Sequence, residues 1–199
     1  PENTNIDDSL KLDKITSLDS ALFVAFPPLS KFSSLNSLKI NMKDLSEDLN
    51  FDELFVNNNV VDLEIVPAHN LNWLKNFKQL KSLTFNNYIT YGDRGLSLDQ
   101  YENIKFLENL EYLKFSCHNI SNINFLENCA NIQKLDLTIL SNYDDTVKLE
   151  NLDFLPKLQQ LEELVVSGLA SSYVDISLEA LKNCSQIKIL TLDIGEQAA

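Results

Sequence analysis

The stretch His118-Asn-Ile-Ser-Asn-Ile-Asn-Phe-Leu-Glu-Asn-Cys-Ala-Asn-Ile-Gln-Lys-Leu-Asp-Leu137 decides the fold. Its periodic apolar residues are Ile120, Ile123, Leu126, Cys129, Ile132, Leu135 and Leu137. They advance by threes and then close with a single step of two. On an α-helix each step of three falls about 60° short of a full turn, so the stripe would wind around the helix and bury no single face. A 3₁₀ turn or extended coil returns to the same side every three residues. A step of two is the strand period. The stretch therefore predicts a short helical or irregular segment, a turn and a short strand.

Working outward, the same ladder recurs. It reads Leu71, Leu74, Phe77, Leu80, Leu83, Phe85, then Ile104, Leu107, Leu110, Leu113, Phe115. It returns as Leu152, Leu155, Leu158, Leu161, Leu164, Val166, and as Leu178, Leu181, Cys184, Ile187, Leu190, Leu192. Looser copies are Phe26, Leu29, Phe32, Leu35, Leu38, Ile40 and Phe51, Leu54, Asn57, Val60, Leu63, Ile65. A degenerate first copy is expected to end at Leu10 and Leu12. The strand pairs then start at 10, 38, 63, 83, 113, 135, 164 and 190, with intervals of 28, 25, 20, 30, 22, 29 and 26 residues. A helical bundle is disfavoured because no segment keeps a clean i, i+4, i+7 stripe beyond three turns.

This pattern resembles the leucine-rich-repeat family, whose core is L-x-x-L-x-L with a period of 20–29 residues. The unit quoted above is most similar to the SDS22/internalin-like subclass, and the resemblance covers essentially the whole chain. It implies an α/β solenoid of about eight repeats, with a curved parallel sheet on the concave side and irregular or short-helical segments on the convex side. An Asn recurs before the apolar residue leading into the strand, a position that Asn76, Asn109, Asn128 and Asn183 are expected to share, with Lys157 as the exception. The family's buried Asn, three residues past the second strand leucine, is absent from its place or shifted by one, as at Asn87 and Asn119. The places themselves hold Ile15, Lys43, Ala68, Tyr88, His118, Leu140, Leu169 and Gly195.

Composition limits the function. The chain has 199 residues, 35 of them leucine, and a formal net charge of -13. That sign argues against nucleic acid and anionic membranes as partners, because phosphate binding needs a basic patch. No apolar run approaches the ~18 residues of a membrane span. Three cysteines exclude a complete disulfide framework. Cys129 and Cys184 stand at apolar places of the ladder and are expected as buried free thiols, which suits a reducing, cytoplasmic setting. Cys117-His118 lacks the companions of a zinc site, and Asp93, Asp144 and Asp145 lack EF-hand spacing. With four glycines there is no GxGxxG or P-loop, and no GxSxG, HExxH or kinase set appears. No cofactor, metal or catalytic residue is expected, and the chain reads as no enzyme. It reads as a single domain over 1–199, part of a longer protein or lacking a C-terminal cap.

The solenoid predicts its own binding surface. Strand residues beside the inward leucines should face outward in rows, giving four lysines and six carboxylates over eight strands. Eight strands at ~4.8 Å span about 35 Å, which suits a protein or peptide better than a metabolite. Candidate partner-binding residues on this face are Lys39, Glu64, Thr84, Tyr112, Lys114, Lys134, Asp136 and Val165. The pairs Lys39/Glu64 and Lys114/Asp136 are also candidates for simple cross-strand ion pairs. Three long connections, 86–103, 138–151 and 167–177, carry Tyr88, Tyr91, Arg94, Tyr143 and Tyr173. These residue types anchor many protein interfaces, and insertions on one side of a solenoid often mark its binding side.

The resemblance leaves the role open. It implies a non-catalytic interaction scaffold, or the recognition arm of a larger enzyme complex such as a ubiquitin-ligase adaptor or bacterial effector. An SDS22-like phosphatase regulator and an extracellular receptor or adhesin fragment are further options.

Overall fold

A computed structural model describes residues 11–20, 28–46, 48–57, 59–67, 71–86, 101–118, 122–140, 151–168 and 176–193. Its eight strands are β1 (Ser17–Ser20), β2 (Ser37–Asn41), β3 (Asp62–Val66), β4 (Ser82–Phe85), β5 (Tyr112–His118), β6 (Lys134–Leu140), β7 (Glu163–Ser167) and β8 (Ile189–Leu192). They form one open sheet, parallel throughout, in the order β1 to β8. Short 3₁₀ turns precede the strands, among them Asn72–Asn76, Glu102–Phe106, Asn124–Asn128, Leu155–Lys157 and Glu179–Asn183.

The step of three has a direct physical cause. Within each turn the N–H of one apolar residue donates to the carbonyl of the apolar residue three before it. Leu74 donates to Leu71 at 3.0 Å, Phe77 to Leu74 at 3.0 Å and Leu80 to Phe77 at 3.1 Å. Ile123, Leu126, Cys129 and Ile132 repeat the same chain of bonds at 3.0, 2.9 and 3.1 Å. This i→i−3 geometry eclipses side chains three apart, so all of them enter one core. Leu71, Leu74, Phe77, Leu80 and Leu83 are each 0% exposed. Aromatic rings also pack in that core. Trp73 lies between Phe55, at 4.6 Å between ring centres, and Phe77, at 5.7 Å.

At the entrance of each of β1 to β7 one carbonyl accepts two successive N–H groups from the next repeat. Thr16 accepts from Asn36 and Ser37, Asn36 from Val61 and Asp62, and Val61 from Lys81 and Ser82. Lys81, Glu111, Gln133 and Glu162 continue the series. The stack is thereby fixed in register before the strands begin.

Three local expectations are corrected. The first strand is Ser17–Ser20, with Leu18 beside Leu38, and not a pair at Leu10 and Leu12. Leu12 opens a 3₁₀ turn that Ile15 closes by donating to the Leu12 carbonyl at 3.2 Å. Leu12, Ile15 and Leu18 are thus the steps of three, and Ser20 hides the step of two. Leu10 lies outside the described residues, and the first interval becomes 38 − 18 = 20 residues. In the third copy one α-helical turn, Phe51–Leu54, replaces the 3₁₀ turn, and Phe55 donates to Phe51 at 3.0 Å. That step of four makes Phe55 the core residue, while Leu54 is only half-buried. Finally, Asn109 does not share a place with Asn76, Asn128 and Asn183. It precedes Leu110, so its equivalents are Asn59 and Asn131. Each of these three donates to a backbone carbonyl of the preceding repeat: Asn59 to Ser33 at 2.6 Å, Asn109 to Lys78 at 2.8 Å and Asn131 to Glu108 at 2.6 Å.

Candidate interaction face

Because strand side chains alternate, the apolar residues at the two places of a strand, such as Leu38 and Ile40 of β2, point inward and their neighbours point out. The register aligns the outward residues in rows. One row is Ser17, Ser37, Asp62, Ser82, Tyr112, Lys134, Glu163, Ile189. The next is Asp19, Lys39, Glu64, Thr84, Lys114, Asp136, Val165, Thr191. The eight sheet residues named from the sequence, from Lys39 to Val165, therefore share one face. A strand at Leu10 and Leu12 would have put Lys11 and Asp13 on this face; with the first strand at Ser17–Ser20 they leave it and Asp19 enters. Ser116, expected outward on β5, is buried.

The charges on this face are largely matched across strands. Lys39 lies 2.9 Å from Glu64, Lys114 3.6 Å from Asp136 and Lys134 2.7 Å from Glu163. The Asn86 amide also donates to Glu64. The Lys134 ammonium stands 5.8 Å from the centre of the Tyr112 ring. Its hydrogen bond to Glu163 holds the Lys134 pKa above the ordinary lysine value. Burial, and then the Asp136 charge, raises that of the Tyr112 hydroxyl. A row of hydroxyls lies farther along the strands, where Thr138 and Ser167 are 3.2 Å apart.

Tyr88, Tyr91, Arg94, Tyr143 and Tyr173 lie outside the described residues. The connections that carry them are shorter than the sequence indicates. The 3₁₀ segment Glu102–Phe106 already begins there, and Tyr101 before it packs 4.6 Å from Phe115, ring centre to ring centre. Residues 138–140 still belong to β6.

Cys129 and Cys184 are free and buried. The Cys129 thiol faces the Ile104 carbonyl at 3.8 Å, and burial pushes its pKa up to about 12. Among the described residues no group of three or more His, Cys, Asp or Glu side chains is placed to hold a metal ion. No described helix is long and apolar enough to cross a membrane.

Parallel strands stacked in chain order, each preceded by a short turn and closing one leucine-lined core, define the molecule as a leucine-rich-repeat solenoid. Solved structures share this fold, among them the following two. Internalin C2 of Listeria monocytogenes matches with a TM-score of 0.54 at 16% identity, over 91% of this chain and 82% of that one. A leucine-rich-repeat protein of Leptospira interrogans matches with a TM-score of 0.53 at 21% identity, over 79% of this chain and 37% of that one. No family model and no curated protein matches the sequence.

Proposed function

We propose that this chain is a non-catalytic scaffold that binds a protein or peptide on the outward face of its sheet. The observation that carries this reading is the register. It sets the outward residues of eight strands in continuous rows on one open surface. Such a surface offers length and many side chains, which suits a polypeptide; a small molecule favours a concave, enclosed site. Tyr112, Lys114, Lys134 and Asp136 stand on its middle strands, and Tyr88, Tyr91, Arg94, Tyr143 and Tyr173 are further candidate contacts on sequence grounds alone. Two buried free thiols support a reducing, cytoplasmic setting.

The test is affinity capture with the wild type and with a Tyr112→Ala/Lys114→Glu/Lys134→Glu variant, followed by mass spectrometry. A protein retained by the wild type and lost by the variant, at unchanged circular dichroism, supports the reading. The same proteins on both would move the site away from this face.

A further inference from the structure

The outward face is not uniform along its length. Each of its three lysines is matched by a carboxylate on the next strand, as described above. Asp19 and Asp62 have no lysine partner among the described residues, and both are exposed; Asp62 accepts only the Ser37 hydroxyl, at 3.4 Å. The surface over β1–β3 therefore carries surplus negative charge, in a molecule whose net charge is already -13. The central strand β4 contributes Ser82 and Thr84 and no charge. At the far end Ile189 is 54% exposed, and Val165 stands half-buried on the neighbouring strand.

We infer that the docking segment is cationic where it crosses β1–β3 and apolar where it crosses β7 and β8. This rests on the reading that the sheet face is the binding site. The lysines are already engaged, so an acidic segment would meet unmatched carboxylates, whereas a basic one finds complementary charge. The protein's overall field favours the same sign. The apolar end gains by covering Ile189. From β2 to β7 or β8 is five or six strand spacings, about 24–29 Å at ~4.8 Å each. An extended chain rising ~3.3 Å per residue covers that span in about seven to nine residues. The expected partner segment thus has a basic residue and a bulky apolar residue separated by about that number.

The probe is a phage-displayed library of random dodecapeptides, selected on the immobilised chain at low salt. The selected peptides are then made synthetically and titrated by fluorescence anisotropy. The expected peptides are basic at one end and apolar at the other. An Asp19→Asn/Asp62→Asn variant should bind them about tenfold more weakly, roughly threefold per lost surface charge pair. It should also lose most of the salt dependence. Ile189→Ser should weaken binding by a similar factor without changing that salt dependence. Selection of acidic or unbiased peptides, or of none, overturns the inference, as does unchanged affinity in the Asp19/Asp62 variant. Thr84→Arg, at the middle of the sheet, separates the two levels. If it abolishes binding of peptides that lack the basic end, only the inference falls. If binding ignores Thr84→Arg altogether, the sheet-face reading falls with it.

Discussion

Asn57 holds a place that equivalent repeats fill with Phe77, Leu107, Cys129, Leu158 and Cys184, and it is buried as they are. Its amide donates to the Leu29 carbonyl at 3.0 Å and the Phe32 carbonyl at 2.9 Å, and its oxygen accepts the Asn59 N–H at 2.8 Å. Asn57→Ala takes the acceptor from the Asn59 N–H and one of two bonds from each carbonyl, which still accept from Phe32 and Leu35, and should cost about 1–3 kcal/mol in urea unfolding. Leu135 represents the ordinary ladder residue at 0% exposure. Leu135→Ala should cost roughly 2–5 kcal/mol as a cavity, and near-neutrality would contradict its place in the core. Cys129 gives a pH signature. Its folded pKa lies above that of an unfolded thiol, so the folded state holds the proton more tightly. The associated stability is complete below about pH 9 and is lost as pH rises toward 12, by up to about 1.4 kcal/mol per pH unit. Cys129→Val should flatten the fall of the melting temperature in that window. At this scale the ladder of apolar residues was legible in the sequence. The partners of Asn57 were not, because they are backbone carbonyls 25 and 28 residues away, exposed to it only by stacking.

The elements were legible where hydrogen-bond geometry and side-chain spacing coincide. Steps of three announce i→i−3 bonds, and the closing step of two announces the strand. The first strand escaped because Ser20 stands where other strands have a second apolar residue, while Leu10 and Leu12 imitate a strand pair by chance spacing. Phe55 displaced Leu54 for a similar reason, since one α-helical turn changes the step to four. Gly168 is a sharper case. It follows β7 with φ at +84°, and an added Cβ would lie 2.0 Å from the Ile139 carbonyl oxygen. Gly168→Ala combines left-handed strain with a backbone clash. It should lower the melting temperature by several degrees, unlike the neighbouring outward-face change Ser167→Ala. Ion pairs at the strand entrances, Lys81–Glu111 at 2.7 Å and Lys188–Glu162 at 2.6 Å, lie in solvent. Exposed pairs contribute little, so the entrances are held by their backbone bonds rather than by these charges.

In the whole molecule each repeat leans on its neighbours alone, so stability should grade along the stack. The inward Leu190 of β8 is 47% exposed, whereas its equivalents Leu113, Leu135 and Leu164 are 0% exposed. Amide hydrogen exchange should therefore be slowest in β4–β6 and fastest in β8. Uniform protection across the eight strands would contradict this graded picture. The outward rows were legible for seven strands, because a period of two fixes both faces once the inward leucines are known. How the charges on that face divide was not legible until register placed each lysine beside its carboxylate. The doubled acceptor at each junction between repeats has a last consequence. Repeat lengths run from 20 to 30 residues, yet the entrance bonds recur at each junction. Extra chain is admitted only downstream of a strand, so growth there leaves the stitching of the stack untouched. The solenoid is thus a loom with one fixed selvedge, and foreign segments grafted after β4, β6 or β7 should be accepted without reweaving the rest.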